Sequence, residues 1–175
     1  MTTFHCLHDS PIGPLLLLTD GQCLTGLHTQ NDKYRPHIRR EWIEDARARP
    51  FDQARIELDE YFAGRRRAFT LPLNAQGTGF QRRVWEQLCA IPFGETISYG
   101  ELARRVGNPN ASRAVGMANS RNPISIVVPC HRVIGADKSL TGYAGGLDRK
   151  KALLEHEARL RPAAAGELFG GLSAA

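Results

Sequence analysis

The sequence predicts an α+β protein in which a strand-rich N-terminal α/β unit precedes a mainly helical C-terminal unit. Three observations carry that reading. Short apolar runs bounded by turn formers fill the first thirty residues, helix punctuation recurs from Thr78 onward, and the polar stretch Asn74-Ala75-Gln76-Gly77 lies between them as a linker. The boundary falls near residue 76, which gives units at 1–76 and 77–162 and leaves a small-residue tail at 163–175 that is expected to be disordered.

In order along the chain, Leu15-Leu16-Leu17-Leu18 sits between the turn formers Ser10-Pro11-Ile12-Gly13 and Asp20-Gly21, which reads as a hairpin or meander. Lys33 to Arg49 is arginine-rich and broken by Pro36, with Pro50 just beyond, and reads as a loop with room for one solvated helix. Ala54, Leu58, Tyr61 and Phe62 then recur at helical spacing, and Gly64 supplies a stop. Arg65-Arg66-Arg67 reads as a solvated helix end rather than a DNA contact, and Phe69 to Leu73 as one more strand.

Thr78 and Gln81 have capping-box spacing ahead of Phe80, Val84, Leu88 and Ile91, and Pro92-Phe93-Gly94 ends that helix. Ser98 and Glu101 repeat the box before Leu102, Ala103 and Val106, with Gly107 as the C-terminal stop. Asn108 is placed to cap a third helix that has Pro109 in its first turn, so the two short helices form a helix-turn-helix of winged-helix type. In the third helix Ala111, Ala114, Val115 and Ala118 are expected to face the core. That leaves Ser112, Gly116 and Asn119 on an outer stripe small enough to lie against nucleic acid, with Arg113 at its edge. An ordinary small-residue helix packed inside the protein would show the same stripe.

Composition narrows the function classes without choosing one. The 175 residues carry 23 basic and 18 acidic side chains, a net charge of +5, and only Lys33, Lys138, Lys150 and Lys151 among the basic residues are lysines. Arginine's planar fork suits phosphates and bases, although a high-GC genome produces the same bias. No run approaches the roughly 18 apolar residues of a membrane span, and the start Met1-Thr2-Thr3 lacks a signal pattern, so a cytoplasmic protein with no membrane partner is expected. Cys6, Cys23, Cys89 and Cys130 show no paired spacing, which permits a free, working thiol.

The candidate chemistry lies where the apolar, β-prone run Ile124-Ser125-Ile126-Val127-Val128 ends at Pro129 and delivers Cys130, followed by His131-Arg132-Val133-Ile134. Taken alone, a Cys-His neighbour pair more often marks a small buried hydrophobe than a nucleophile. The segment from Phe80 to Glu157, however, resembles the O6-alkylguanine-DNA alkyltransferase family along nearly all its length. The hallmark is Pro129-Cys130-His131-Arg132-Val133. Further matches in order are Gly94-Glu95-Thr96-Ile97-Ser98-Tyr99, Ala111-Ser112-Arg113-Ala114-Val115-Gly116, Asn122-Pro123, Thr141-Gly142-Tyr143-Ala144-Gly145-Gly146 and Leu153-Leu154-Glu155-His156-Glu157. The N-terminal half matches chiefly at Asp9-Ser10-Pro11-Ile12-Gly13 and Tyr61-Phe62-Ala63-Gly64, and its strand-rich pattern agrees with the family's RNase H-like first domain.

The resemblance implies repair of double-stranded DNA by direct transfer of an alkyl group from O6-alkylguanine, and from O4-alkylthymine, to Cys130, with loss of the protein after one event. It implies that Cys130 is the nucleophile, activated through a water by His131, which Glu157 orients. The physics agrees. A free thiol has a pKa of about 8.5, so an adjacent base is needed to hold the sulfur ionised. Were the segment extended, successive side chains would point to opposite faces and His131 would reach the sulfur through water. Glu157 follows Leu153 by four and Leu154 by three, so a helix turns its carboxylate inward with those leucines.

By the same resemblance Asn122 braces the active-site turn and the Tyr99 hydroxyl donates to N3 of the flipped guanine. The Val133 carbonyl, Tyr143, Ala144 and Gly145 line the base pocket. Arg113 fills the gap left by the everted base, while the helix carrying Ser112, Gly116 and Asn119 lies in the minor groove with weak sequence selectivity. Read without it, Asn122 is a turn former and Tyr99 a core residue. Ala144 and Ser125 are small and leave room for groups bulkier than methyl.

A direct SN2 transfer requires no cofactor. Some relatives carry a structural zinc, and Cys23 with His28 resembles two of its ligands. Cys6 is out of register and no histidine stands near Thr70, so no metal is expected. The resemblance further implies a monomer in solution, with clustering along DNA left open. Two other readings stand beside transfer: a module that binds damaged DNA without repairing it, which the presence of Cys130 opposes, and a Cys-His-Glu thiol hydrolase, for which no oxyanion loop is evident.

Overall fold

The computed structural model describes residues 2–161, so the tail expected after Pro162 lies outside the described residues. Among the described residues six strands and five α-helices follow one another, beginning with β1 (Phe4–His8), β2 (Leu15–Thr19), β3 (Leu24–Thr29) and β4 (Ile43–Glu44). These form a sheet of order β3-β2-β1-β4 in which β1, β2 and β3 run antiparallel and β4 joins β1 in parallel. The meander expected from the leucine run is present. Its register places Leu17 opposite both Cys6 and Leu27, and every residue of β2 is buried, which explains why the run does not alternate.

Helix α1 (Phe51–Phe62) buries Ala54, Leu58 and Tyr61 at the helical spacing read from sequence and adds Phe51, whereas Phe62 is half-buried. Phe51 and Leu58 each contribute about 1.5–3 kcal/mol by leaving water. The arginines after it are tied back to the protein as expected for a solvated helix end, with Arg66 Nε on Glu60 at 2.7 Å and Arg67 Nη2 on the Leu160 carbonyl at 3.0 Å. Residues 33–49 form the expected loop, without a helix and with only the two-residue strand β4, whereas one N-terminal expectation is corrected: Phe69 to Leu73 is not a strand but makes a single bridge from Leu73 to Leu24.

Helix α2 (Gly79–Cys89) begins at Thr78 with the reciprocal capping box made by Gln81, as its spacing predicts. In α3 (Tyr99–Arg105) the Ser98 hydroxyl accepts from Glu101 N at 3.1 Å. The Glu101 carboxylate pairs with Arg104 and Arg105 instead of reaching back, so only half of the second box forms. Helix α4 (Ser112–Ser120) starts later than expected because Asn108 and Ala111 close a separate turn, Ala111 N donating to the Asn108 carbonyl at 3.0 Å. The short strands β5 (Ile97–Ser98) and β6 (Val133–Ile134) pair in parallel beside this helix-turn-helix, and α5 (Leu147–Leu160) closes the described chain.

The β-prone run Ile124–Val128 is a further correction, because it is buried yet not a strand. Only Ile124 bridges to Leu27, and Ile126 stands at φ 72°. The Asn122 side chain captures the backbone that a ladder would need: its Oδ1 accepts from Ile124 N at 3.0 Å and its Nδ2 donates to the Val128 carbonyl at 2.8 Å. The run is apolar because it lies in the core, and it turns because Asn122 offers better partners than a strand edge. One hydrophobic cluster passes through both halves of the molecule, joining Leu27, Phe51 and Tyr61 to Val84, Leu88, Cys130 and Leu153.

Candidate active site

Cys130 opens a 3-10 turn, Cys130–Arg132, directly after the Asn122-held segment, so the nucleophile candidate sits on a turn instead of a strand end. That changes the local geometry assumed from sequence. Cys130 is 4% exposed, and burial pushes its thiol up to about 11 despite the Asn122 hydrogen bond and the nearby Lys150 charge, both of which favour the thiolate. The sulfur is therefore a thiol at rest, and the expectation of a standing thiolate is corrected.

His131 and Glu157 meet in the core, both with side chains 0% exposed, with Nε2 to Oε1 at 2.7 Å. Burial pulls the imidazole pKa below its ordinary value against the opposing pull of Glu157, so the ring is neutral near pH 7. A carboxylate can only accept, which assigns the ring hydrogen to Nε2 and leaves Nδ1 as a bare lone pair. That Nδ1 is buried and has no hydrogen-bond partner among the described residues.

Glu157 receives far more than one imidazole. Arg132 donates twice, Nε to Oε2 at 2.9 Å and Nη2 to Oε1 at 3.0 Å, Gly94 N donates to Oε2 at 3.0 Å, and the Tyr61 hydroxyl donates to Oε1 at 2.8 Å. Burial works to raise its pKa, but the hydrogen bonds and charges of His131 and Arg132 outweigh it and hold the carboxyl well below the usual range. Arg132 and Tyr61 are site residues that sequence reasoning missed. Arg132 stands inside the hallmark motif, where a cation next to a predicted buried carboxylate was the available signal; Tyr61, 96 positions from Glu157, was marked only by its place in the matching stretch Tyr61-Phe62-Ala63-Gly64.

Lys150 is a third omission. It is fully buried, and its ammonium donates to the Val133 carbonyl at 2.5 Å and the Thr141 carbonyl at 2.8 Å. Burial lowers its pKa to about 8. The Val133 carbonyl expected to face a base thus already has a cation on one lone pair. Tyr99 donates its hydroxyl to the Thr141 carbonyl at 2.8 Å, and burial, with a smaller contribution from the charge of Cys130, raises its pKa. Burial first, and the charge of Cys130 after it, raise the Tyr143 hydroxyl in the same way. Gly145 is held between neighbours: a Cβ there would lie 2.8 Å from Thr29 Oγ1 and from the Tyr143 ring. Ala144, beside it, accepts from Lys33 N at 3.0 Å.

Outside this cluster a cleft of about 550 Å³ is lined by Ser112, Arg113 and Gly116 of α4 together with Tyr99, Thr141 and Gly142. Arg113 is exposed there. Cys130 does not line that cleft, whereas Tyr99 and Thr141, joined by their hydrogen bond, both do. Asn119 corrects the expected outer stripe: it is 1% exposed and faces inward with Val115 and Ala118, its Nδ2 donating to the Cys130 carbonyl at 3.3 Å. Ala114, expected in the core, is exposed in its place. His28 lies buried with Nδ1 3.7 Å from Asp32, and among the described residues no group of three or more His, Cys, Asp or Glu side chains is arranged to hold a metal ion. No helix among them is long and apolar enough to cross a membrane.

This geometry can be set against known proteins. The profile of the 6-O-methylguanine DNA methyltransferase ribonuclease-like domain matches residues 4–75, and that of the same protein's DNA binding domain matches residues 79–159. A methylated-DNA--protein-cysteine methyltransferase of Mycobacterium leprae is 54% identical over 154 residues, covering 87% of this chain and 92% of the relative. The chain belongs to the 6-O-methylguanine DNA methyltransferase family. Another methylated-DNA--protein-cysteine methyltransferase, from Methanosarcina acetivorans, is 48% identical over 88% of this chain and 97% of its own length. In three dimensions a crystal structure of Mycobacterium tuberculosis OGT in complex with DNA superposes with a TM-score of 0.85 at 51% identity, covering 91% of this chain and 95% of that one. The α+β architecture of strand sheet then helical unit is that of the methyltransferase family.

Proposed function

We propose that this chain repairs double-stranded DNA by taking the alkyl group of O6-alkylguanine onto Cys130. The observation that carries the reading is the buried lone pair of His131: Nε2 is committed to Glu157, which leaves Nδ1 free to accept a proton one residue from a protonated thiol. The M. tuberculosis OGT structure with DNA supports the partner. In the proposed sequence, docking of α4 through Ser112 and Gly116 brings the helix against the minor groove, and Arg113 takes the place of the everted base. Entry of the base breaks the Tyr99–Thr141 hydrogen bond and frees the Tyr99 hydroxyl.

The Cys130 proton then passes to His131 Nδ1 through one water, and Glu157 stabilises the imidazolium that results. The sulfur attacks the alkyl carbon in line with the C–O6 bond; a C–S bond forms, the C–O bond breaks, and its electron pair stays on the guanine. Tyr99 donates toward N3, and the relayed proton neutralises the leaving base. Lys150 and Asn119 hold the Val133, Thr141 and Cys130 carbonyls still during this step. Tyr143, Ala144 and Gly145 form the pocket wall. The thioether is inert because returning the alkyl group would require expulsion of a thiolate from carbon, so each molecule acts once.

The chain divides its labour near residue 76. Residues 77–162 bind DNA and accept the alkyl group, and residues 1–76 brace them, most directly through Tyr61 on Glu157. The proposed place of work is the cytoplasm, where a reducing environment keeps thiols reduced; all four cysteines are free. The test is to incubate the protein with duplex DNA carrying O6-methylguanine and weigh it. A gain of one methyl on the peptide containing Cys130, lost in Cys130→Ser, is expected; an unchanged mass with the lesion removed would refute transfer.

A further inference from the structure

The cleft beside α4 has a wall that belongs to the other half of the molecule. Tyr34, in the loop after β3, lines it together with Arg113 and Gly116. Two cations lie against the Tyr34 ring: Arg121 Cζ is 5.3 Å from its centroid and Lys33 Nζ 5.5 Å. Arg113, Met117 and Arg121 follow one another at four-residue spacing, so a single ridge along α4 and its C-terminal cap leads from the expected intercalating arginine to Tyr34. Met117 on that ridge is 62% exposed, an apolar side chain with no cover.

The position of Tyr34 is built into the fold. Its N donates to Asp32 Oδ1 at 2.7 Å, and Arg35 N donates to the Asp32 carbonyl at 3.1 Å; Asp32 N in turn donates to the Thr29 carbonyl at 3.3 Å. Lys33 N in the same turn donates to the Ala144 carbonyl at 3.0 Å, which pins the turn to the active-site loop. Among the described residues the cleft lining includes two tyrosines and an arginine and no acidic side chain, with Lys33 and Arg121 adjoining Tyr34. An aromatic face with guanidinium groups and no carboxylate fits a polyanion whose subunits have flat faces.

We propose that Tyr34 and Arg121 form a second grip on DNA, supplied jointly by the two halves of the chain. Tyr34 packs on the sugar and base next to the everted nucleotide, and Arg121 contacts the adjacent phosphate. The inference rests on the DNA-repair reading above, but it is read out by binding alone. Affinity is measured by fluorescence anisotropy for a duplex carrying O6-methylguanine, over a series of salt concentrations, with transfer from the free O6-methylguanine base followed in parallel.

Tyr34→Ala should weaken duplex binding about five- to tenfold, as loss of one stacking face does. Tyr34→Phe, which keeps the ring, should stay within about twofold of the native affinity. Arg121→Ala should reduce the slope of log affinity against log salt by about 0.9, the value of one phosphate contact. Transfer from the free base should persist in all three. Native affinity and native salt slope in both alanine variants, with native melting temperatures, would overturn the proposal. So would an equal loss of free-base transfer in Tyr34→Ala, since the ring would then be supporting the active-site loop. A native protein that bound the duplex but gained no methyl would overturn the repair reading instead, and the affinities would still decide the role of Tyr34.

Discussion

The strongest test of the relay is the pH dependence of transfer in His131→Ala. In the native protein the reacting state is a protonated thiol beside a neutral imidazole, and it persists between the depressed pKa of His131 and the thiol pKa of about 11. Over that window the native rate should be flat, because moving the proton from Cys130 to His131 changes no net protonation. Without the imidazole, transfer must await a free thiolate. With a pKa near 11 that form is roughly one molecule in three thousand at pH 7.5. The rate of His131→Ala should therefore fall by about 10²–10⁴-fold at pH 7.5, the usual contribution of a positioned general base, and follow the thiolate fraction by rising about tenfold per pH unit toward pH 10. The assay is single-turnover transfer of labelled methyl from duplex O6-methylguanine between pH 6.5 and 9.5, with DNA affinity measured alongside. A variant rate within tenfold of native at pH 7.5, or one that is flat with pH, would refute the relay.

Three other perturbations have definite outcomes. Glu157→Gln leaves the buried Arg132 cation without its counter-charge and should lower stability by about 3–5 kcal/mol at pH 7 in urea denaturation. Because the Glu157 carboxyl is depressed in the fold, its contribution is present above the unfolded carboxylate pKa of about 4.3 and is lost as pH falls toward its folded value; the stability gap between native and variant should accordingly narrow below about pH 4. Asn122→Ala strands the Ile124 amide and the Val128 carbonyl in the core and should cost about 2–4 kcal/mol, seen as a lower urea midpoint at unchanged m-value. Arg113→Ala should weaken repair of duplex substrate while transfer from the free base is largely kept; equal losses on both would remove its proposed stacking role.

Several features were legible without coordinates because local physics decides them. The Thr78–Gln81 cap, the α1 stripe of Ala54, Leu58 and Tyr61, and the inward turn of Glu157 each follow from spacing within a single helix. Hydrophobicity was less informative over Ile124–Val128, where it reported burial truthfully and backbone state wrongly, since the competing partner was the Asn122 side chain. Asn119 misled for a related reason: a polar residue reads as outward facing until the Cys130 carbonyl that it serves is placed beside it.

The amino-acid order by itself determined the leucine meander and the main helices, which cysteine is flanked by a base, and which family the chain joins. Tertiary structure alone decided the protonation of that cysteine, because desolvation depends on what surrounds a sulfur and not on its neighbours in sequence. It also decided that the catalytic carboxylate candidate answers to an arginine 25 positions away and a tyrosine 96 positions away. Electrostatic energies fall with distance in space, and only the folded core turns those sequence separations into contacts of about 3 Å.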